Sequence, residues 1–597
     1  MFKNILLVYP EFPSTTYWSF TYALDFLGKK AAMPPLGLIT IAPMFPEGYN
    51  IRFIDMNVQE LSDDDIRWAD GVFTSTMIIQ QKSLNEVILR SNALNKPVIA
   101  GGPYPTTSSD KIKGVSHFIL GEAENTLGQF IRDFERGIAK PVYFNPDKPE
   151  LWSTPIPRFD LLDMEKYGSM AIQSSRGCPF QCEFCDIWGM YGNKPRLKGP
   201  KKFIAELDRL LELGWKGSLF VVDDNFIGNK SAVKTLLLPE IIKWQKKHKY
   251  PFGLYTEASV NLADDEELMA LMQDAGFDMV FVGIETPAEE SLQESNKRQN
   301  VKKNLLESVR RIQSYGMEVT AGFIVGFDND PIDIFQRQID FIQEAGIPLA
   351  MVGMLSALRG TNLYDRLQKE GRLTADSGGN NTHSFEPNFV PRMDRKTLRE
   401  GYKHILNTIY DPILRNYFQR CITSIDNIKG KARFSRRIGI KEIIALLRFI
   451  VIQFFEEYSK EYLKFLAKVL VKYPAKFPEA IRLAIMGHHL RTITQEALKV
   501  DRLHSYISEK ESFFSEQFDY IARHLNHSNV QGGANASRQT TERLKDLFNH
   551  RNDALTYVGK RIKNIHKDFR AEVNQRYDDL GKKLNALFEH TSIILGG

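Results

Sequence analysis

The sequence predicts an α/β protein in three parts: a doubly wound parallel sheet, a partial (β/α)6 barrel, and an all-α carboxyl-terminal region. Three observations carry this reading. Short apolar runs alternate with helical patterns over residues 1–140 and again over residues 171–375, as expected of strands joined by crossover helices. Pro141, Pro146, Pro149, Pro155 and Pro157 interrupt the stretch between them, so residues 141–170 read as a linker. Beyond the flexible joint Ser377-Gly-Gly-Asn-Asn381 the strand-like runs stop and the periodicity becomes helical. A chain of 597 residues allows three or four domains at about 150 residues each.

In residues 1–140 the strand candidates are Asn4 to Tyr9, Ile51 to Met56, Gly71 to Ser75, Pro97 to Ala100 and His117 to Leu120, with a helix over Ser83 to Leu94. This Rossmann-like pattern puts ligands at the carboxyl ends of the strands. Gly101-Gly102 after the fourth run permits close backbone approach to a bulky ligand. Met1 to Tyr9 reads as a first strand, not a secretion signal, because Pro10-Glu11 ends the apolar run early.

Six strand–helix units follow. Met170 to Gln173, Ser218 to Val222, Phe252 to Tyr255, Met279 to Val282, Val319 to Val325 and Ala350 to Leu355 are the strands of a barrel whose chemistry belongs at its carboxyl edge. Polar groups gather there: Asp223-Asp224-Asn225, Glu257 and Glu285. Residues 376–525 read as a helical domain and 540–597 as a helical hairpin or short coiled coil. Ile443 to Phe455 is strongly apolar and follows Lys429, Lys431, Arg433, Arg436, Arg437 and Lys441; this order suits a peripheral contact with an anionic membrane surface, a cap over an apolar substrate channel, or a bundle core with a solvated lead-in. His488-His489 reads as a surface pair and Cys421 as a buried apolar residue.

The net charge of +5 is small for this length and gives no reason to expect nucleic acid. No run of about 20 apolar residues suggests a membrane span. Of the four cysteines, three lie in Cys178-Pro-Phe-Gln-Cys182-Glu-Phe-Cys185. Three soft thiolates on one short loop suit an iron–sulfur cluster with one iron left open, in a reducing, cytoplasmic setting; the alternative is a zinc loop with a distant fourth ligand.

The CxxxCxxC spacing, with aromatic Phe184 before the third cysteine, resembles the signature of radical S-adenosylmethionine (SAM) enzymes. The resemblance implies that Cys178, Cys182 and Cys185 hold a [4Fe–4S] cluster whose open iron chelates SAM. It further implies that Phe184, Asp223, Asp224, Asn225, Glu257, Glu285, Gly322 and Gly326 surround SAM, and that an electron donor such as flavodoxin or ferredoxin reduces the cluster. Residues 1–140 resemble the cobalamin-binding domain of a large radical SAM subfamily, through Pro34-Pro35-Leu36-Gly37-Leu38, Ser75-Thr76-Met77, Gly101-Gly102 and Gly121-Glu122. That likeness implies cobalamin contacts from Ser75, Thr76, Gly101, Gly102, Gly121 and Glu122. The histidine motif that ligates cobalt in cobalamin mutases is absent, so any cobalamin here has no protein imidazole beneath it. With the helical annex, the chain resembles hopanoid methylases and the enzymes that form rings in tetraether lipids. This implies C-methylation of an unactivated carbon in a small, apolar, lipid or isoprenoid substrate. Ring or carbon–carbon bond formation without methyl transfer is the alternative, and a non-catalytic iron–sulfur scaffold is another.

Overall fold

The computed structural model describes residues 3–380, 382–429, 433, 453–528 and 534–596. Its first sheet contains β1 (Asn4–Tyr9), β2 (Asn50–Asp55), β3 (Gly71–Ser75), β4 (Val98–Gly101), β5 (His117–Leu120) and β6 (Val142–Phe144), all parallel, in the order β2-β1-β3-β4-β5-β6. Successive β1 side chains enter opposite cores: Ile5 and Leu7 pack with Leu38, Phe73 and Phe130, while Leu6 and Val8 pack with Ile66, Val72 and Val87. A strand buried on both faces explains why Ile5 to Val8 is apolar throughout and does not alternate. The order reverses between β1 and β3, which places the ligand crevice of such a sheet at their carboxyl ends.

The stretch expected to be a linker begins with β6, which the sequence reading missed. Only Tyr143 of its three residues is buried, and Pro141 and Pro146 bracket it, so neither length nor alternation signalled a strand. The rest of the stretch is also anchored: Tyr167 OH donates to Asp55 Oδ2 at 2.9 Å, and Ala31 bridges to Tyr167.

The second sheet is the partial barrel. Strands β7 (Met170–Ile172), β10 (Ser218–Val221), β11 (Gly253–Ala258), β12 (Phe277–Glu285), β13 (Glu318–Val325) and β14 (Ala350–Met354) lie parallel in chain order, and β7 does not pair with β14. A short antiparallel pair, β8 (Ser175–Arg176) and β9 (Arg196–Leu197), lies between the first two. It carries the cysteine loop between its strands.

The helices Arg395–Ile409 and Arg415–Asn427 pack on the barrel helix Ile334–Ala345. Arg420, fully buried between the Tyr410 and Tyr417 rings, donates to the carbonyls of Ile347, Pro348 and Ile409. Cys421 beside it is buried. Residues 443–452 of the apolar stretch, with Lys431, Arg436, Arg437 and Lys441, lie outside the described residues.

The chain divides into two compact units, Met1–Arg491 and Thr492–Gly597. A domain border expected near residue 525 is therefore displaced. One 52-residue helix, Phe477–Ser528, passes through both 491 and 525, because its sequence lacks proline and glycine from 488 to 528 and nothing stops it. Within the second unit, helices Ala534–Ile562 and Lys567–Gly596 form a hairpin, with Tyr506 stacked on Tyr557 and Phe518 against Phe588. His488 and His489 are not a surface pair. His489 is buried with Nε2 3.3 Å from the Tyr17 carbonyl, and His488 Nδ1 meets Tyr458 OH at 2.7 Å, because Tyr17 to Phe26 lie across this helix face.

Candidate functional site

A cavity of about 1,100 Å³ opens where the carboxyl ends of both sheets face each other. This exceeds the usual range for a drug-sized ligand, about 300–1,000 Å³. From the first sheet it is lined by Ser75, Thr76, Gly101, Gly102, Gly121 and Glu122; from the second, by Ala171, Gln173, Phe220, Asp224 and Glu257. Asp186, Ile187 and Met190 bring the cysteine loop to its wall.

The front wall is built from small residues for a steric reason. Gly102 has φ +93°, and a Cβ there would lie 2.7 Å from Ser75 Oγ and 2.8 Å from the Thr76 nitrogen. A Cβ on Gly101 would lie 3.0 Å from the Ile119 carbonyl oxygen. The hydroxyls of Thr74 and Thr76, two residues of this wall, are buried without a hydrogen-bond partner among the described residues. Among the described residues no histidine or cysteine lines the cavity. Glu122, expected as a ligand contact, is instead committed to protein. Its carboxylate accepts from Arg176 at 2.8 Å and Arg196 at 2.7 Å, and Arg176 also pairs with Glu124. Both arginines belong to the β8–β9 pair, so this nearly buried cluster ties the end of the first sheet to the base of the cysteine loop.

The loop itself is held by its backbone. Gly177, at φ +93°, donates to Asp224 Oδ2 at 2.9 Å, and a Cβ there would meet the Gly192 carbonyl at 2.8 Å. Cys178 N donates to Gly192 O, Glu183 N to Ser295 O, and Asn296 Nδ2 to Gln181 O. Asn225 Nδ2 lies 4.0 Å from Cys178 Sγ and Gln299 Nε2 3.7 Å from Cys182 Sγ. Burial raises all three thiols, a cost that soft metal ions offset by taking the thiolate. Among the described residues no three His, Cys, Asp or Glu side chains converge on a single-ion site. Thiolates that each bind a different iron of a cluster have no need to converge so tightly.

The strand-end carboxylates divide into two kinds. Asp224 and Glu257 line the cavity; burial pushes Asp224 up to about 6, and burial together with the Asp224 charge pushes Glu257 up to about 8. Asp223 does not line it. It accepts from Ser174 N at 2.7 Å, Ser174 Oγ at 2.5 Å and Ser175 Oγ at 2.7 Å, so it fixes the turn into β8. Asn225 is likewise taken up by Ser259. Glu285 adopts φ +65° at the end of β12 and pairs with the buried Lys297 at 2.5 Å. Lys297 Nζ lies 5.9 Å from the centre of the Phe184 ring, and its charge is felt by Cys182 and Cys185. Phe184 packs against Phe327. Gly322 lies under Phe281, and Gly326, at φ +102°, abuts Leu398 and donates to Asp330. Glu285, Phe184, Gly322 and Gly326 do not line the cavity; Glu285 and Phe184 lie with Lys297 beside the cysteines.

Lys297 and Gln299 went unnoticed in the sequence because NKRQN has no distinguishing spacing; only the fold brings it under the cysteines. Arg176, next to the conspicuous glycine and cysteine, could have been flagged as an unpaired cation in need of an acidic partner.

Residues 172–342 match the radical SAM superfamily, and residues 361–502 match a domain of unknown function (DUF4070). The chain is 44% identical to an uncharacterised methyltransferase of Synechocystis sp., over 72% of this chain and 80% of that protein. It is 39% identical to the hopanoid C-2 methylase of Rhodopseudomonas palustris, over 64% of this chain and 73% of that one. The chain belongs to the radical SAM superfamily. As a radical SAM enzyme it uses a [4Fe–4S] cluster and SAM on a small-molecule substrate. A solved radical SAM methyltransferase, TsrM of Kitasatospora setae, is 16% identical with a TM-score of 0.49, covering 62% of this chain and 76% of that one. Among the described residues no helix is long and apolar enough to cross a membrane.

Proposed function

We propose that this radical SAM enzyme is a C-methyltransferase acting on an unactivated carbon of an apolar, lipid-like substrate, with cobalamin held in the front half of the cavity. The observation that carries this is the shared cavity: one sheet contributes a cradle of Gly102, Ser75 and Thr76, the other contributes Asp224 and Glu257, and the cysteine loop adjoins both. A cluster alone has no use for a cradle of that size. When bound, the cluster with SAM supplies a radical that removes hydrogen from carbon, and cobalamin supplies the methyl group. Cys178, Cys182 and Cys185 would hold the cluster. Asp224 and Glu257, acceptors once ionised, would orient the ammonium and ribose hydroxyls of SAM. Gly101 and Gly102 would let a corrin approach the backbone closely, and the cavity wall would exclude water from the radical. The relatives named as methylases, one of a hopanoid, support methyl transfer and the apolar substrate class.

Anaerobically purified protein, loaded with cluster and cobalamin and given SAM, a reductant and a neutral lipid extract, is expected to form 5′-deoxyadenosine and S-adenosylhomocysteine together. The lipid product is expected to be heavier by one methylene. Deoxyadenosine without S-adenosylhomocysteine, with a product lighter by two hydrogens, overturns methyl transfer in favour of bond or ring formation.

A further inference from the structure

Helix Ser459–Lys472 presents three stripes around its circumference at 100° per residue. Tyr462, Phe465, Leu466 and Val469 are buried against the protein. Beside them lies a second apolar pair that nothing in the described structure covers, Leu463 at 43% exposed and Leu470 at 55%, and Val471, 86% exposed, falls at the near edge of the lysine row between Lys460 and Lys464. The preceding turn adds Phe454 and Phe455, the latter 83% exposed. The third stripe is basic, with exposed Lys460, Lys464, Lys468 and Lys472. Lys464 pairs with Glu461 and Lys472 with Asp426, whereas among the described residues Lys460 and Lys468 form no ion pair at contact distance, Lys460 only feeling the charge of Glu461. Glu456 and Glu457, near the aromatic end, are both engaged by Arg491.

An ordinary surface helix carries one apolar stripe, the one it buries. This helix carries a second, flanked by lysines, which is the arrangement that seats a helix in the interface of an anionic bilayer: apolar groups enter the acyl boundary and ammonium groups meet lipid phosphates. We propose that this face docks on an anionic membrane surface. Charge selects the occupant, since an apolar protein partner would not need the lysine row. The inference goes beyond the proposed reaction, and vesicle binding is measured without turnover, so either can fail without the other.

The test is flotation of the full chain with vesicles of phosphatidylcholine alone and of phosphatidylcholine mixed with phosphatidylglycerol. The full chain is expected to float with the mixed vesicles and to be released by salt. Leu470→Asp/Val471→Asp and, separately, Lys460→Glu/Lys468→Glu are expected to weaken binding by about tenfold or more, with melting temperature unchanged. Equal flotation of the variants, or no binding to mixed vesicles, overturns the proposal. A lowered melting temperature for Leu470→Asp/Val471→Asp would also overturn it, because the stripe would then be covered by protein.

Discussion

The two parallel sheets present opposite chemistry at the same kind of edge. The first ends in Ser75, Thr76, Gly101 and Gly102, small groups packed so closely that a single Cβ at Gly102 finds no room. The second ends in carboxylates and an amide, several of them spent on holding the protein together. A strand end made of small residues works by absence, admitting a large ligand to the backbone. One made of charged residues works by presence, and each charge must be either partnered or aimed at something. Which of the two a residue does cannot be read from its type; Asp223 and Asp224 are neighbours with different tasks.

Breaking the charged edge at its root has the largest expected effect. Cys182→Ala is expected to abolish the iron–sulfur absorption and deoxyadenosine formation outright while leaving corrinoid retention intact, as spectra of the reconstituted protein would show. The converse break is Gly102→Val, which forces a branched side chain into the left-handed region, at about 1–3 kcal/mol of backbone strain, against Ser75 and Thr76. It is expected to remove bound corrinoid, with the cluster spectrum retained. If both variants lose both chromophores, the two edges do not act separately.

A finer test concerns Lys297, a buried cation beside the cysteines. Lys297→Met removes positive charge from a place where reduction adds an electron, so the cluster's midpoint potential is expected to fall by about 60 mV or more, tenfold in the one-electron equilibrium. Lys297→Arg is expected to restore most of it. A potentiometric titration followed by electron paramagnetic resonance would read both.

A separate test, read on stability and not on the cofactors, is a pH dependence from Glu257. Its acidity is weakened from an ordinary value of 4.5 to about 8. The folded protein thus binds more protons than the unfolded chain between those values, and stability falls as pH rises through that window. Its contribution is at most about 1.4 kcal/mol per pH unit. Glu257→Gln is expected to flatten the melting-temperature profile of the cofactor-free protein between pH 5 and 8. An unchanged slope would mean that Glu257 is not the group being desolvated.

Much of this was legible in the sequence because it depends on local order. The cysteine spacing sits within eight residues, and buried parallel strands announce themselves as unbroken apolar runs such as Ile5 to Val8. What escaped depends on distant parts meeting. Glu122 sits in the expected place after β5, but Arg176 and Arg196 reach it from another domain. His488-His489 reads as solvent-facing until Tyr17 and Phe20 are laid across it. The strand β6 is too short and too exposed to leave a pattern. The border expected near residue 525 is displaced because the run from Phe477 to Ser528 lacks the breakers that would mark a boundary there.

The carboxylate of Glu122 has a mechanical implication. It is clasped by two guanidinium groups on the arm that bears the thiols, so the mouth of one chamber and the footing of the other share a hinge pin. A shift of that arm is therefore passed to the front wall of the cavity, and a shift of the wall to the footing of the thiols.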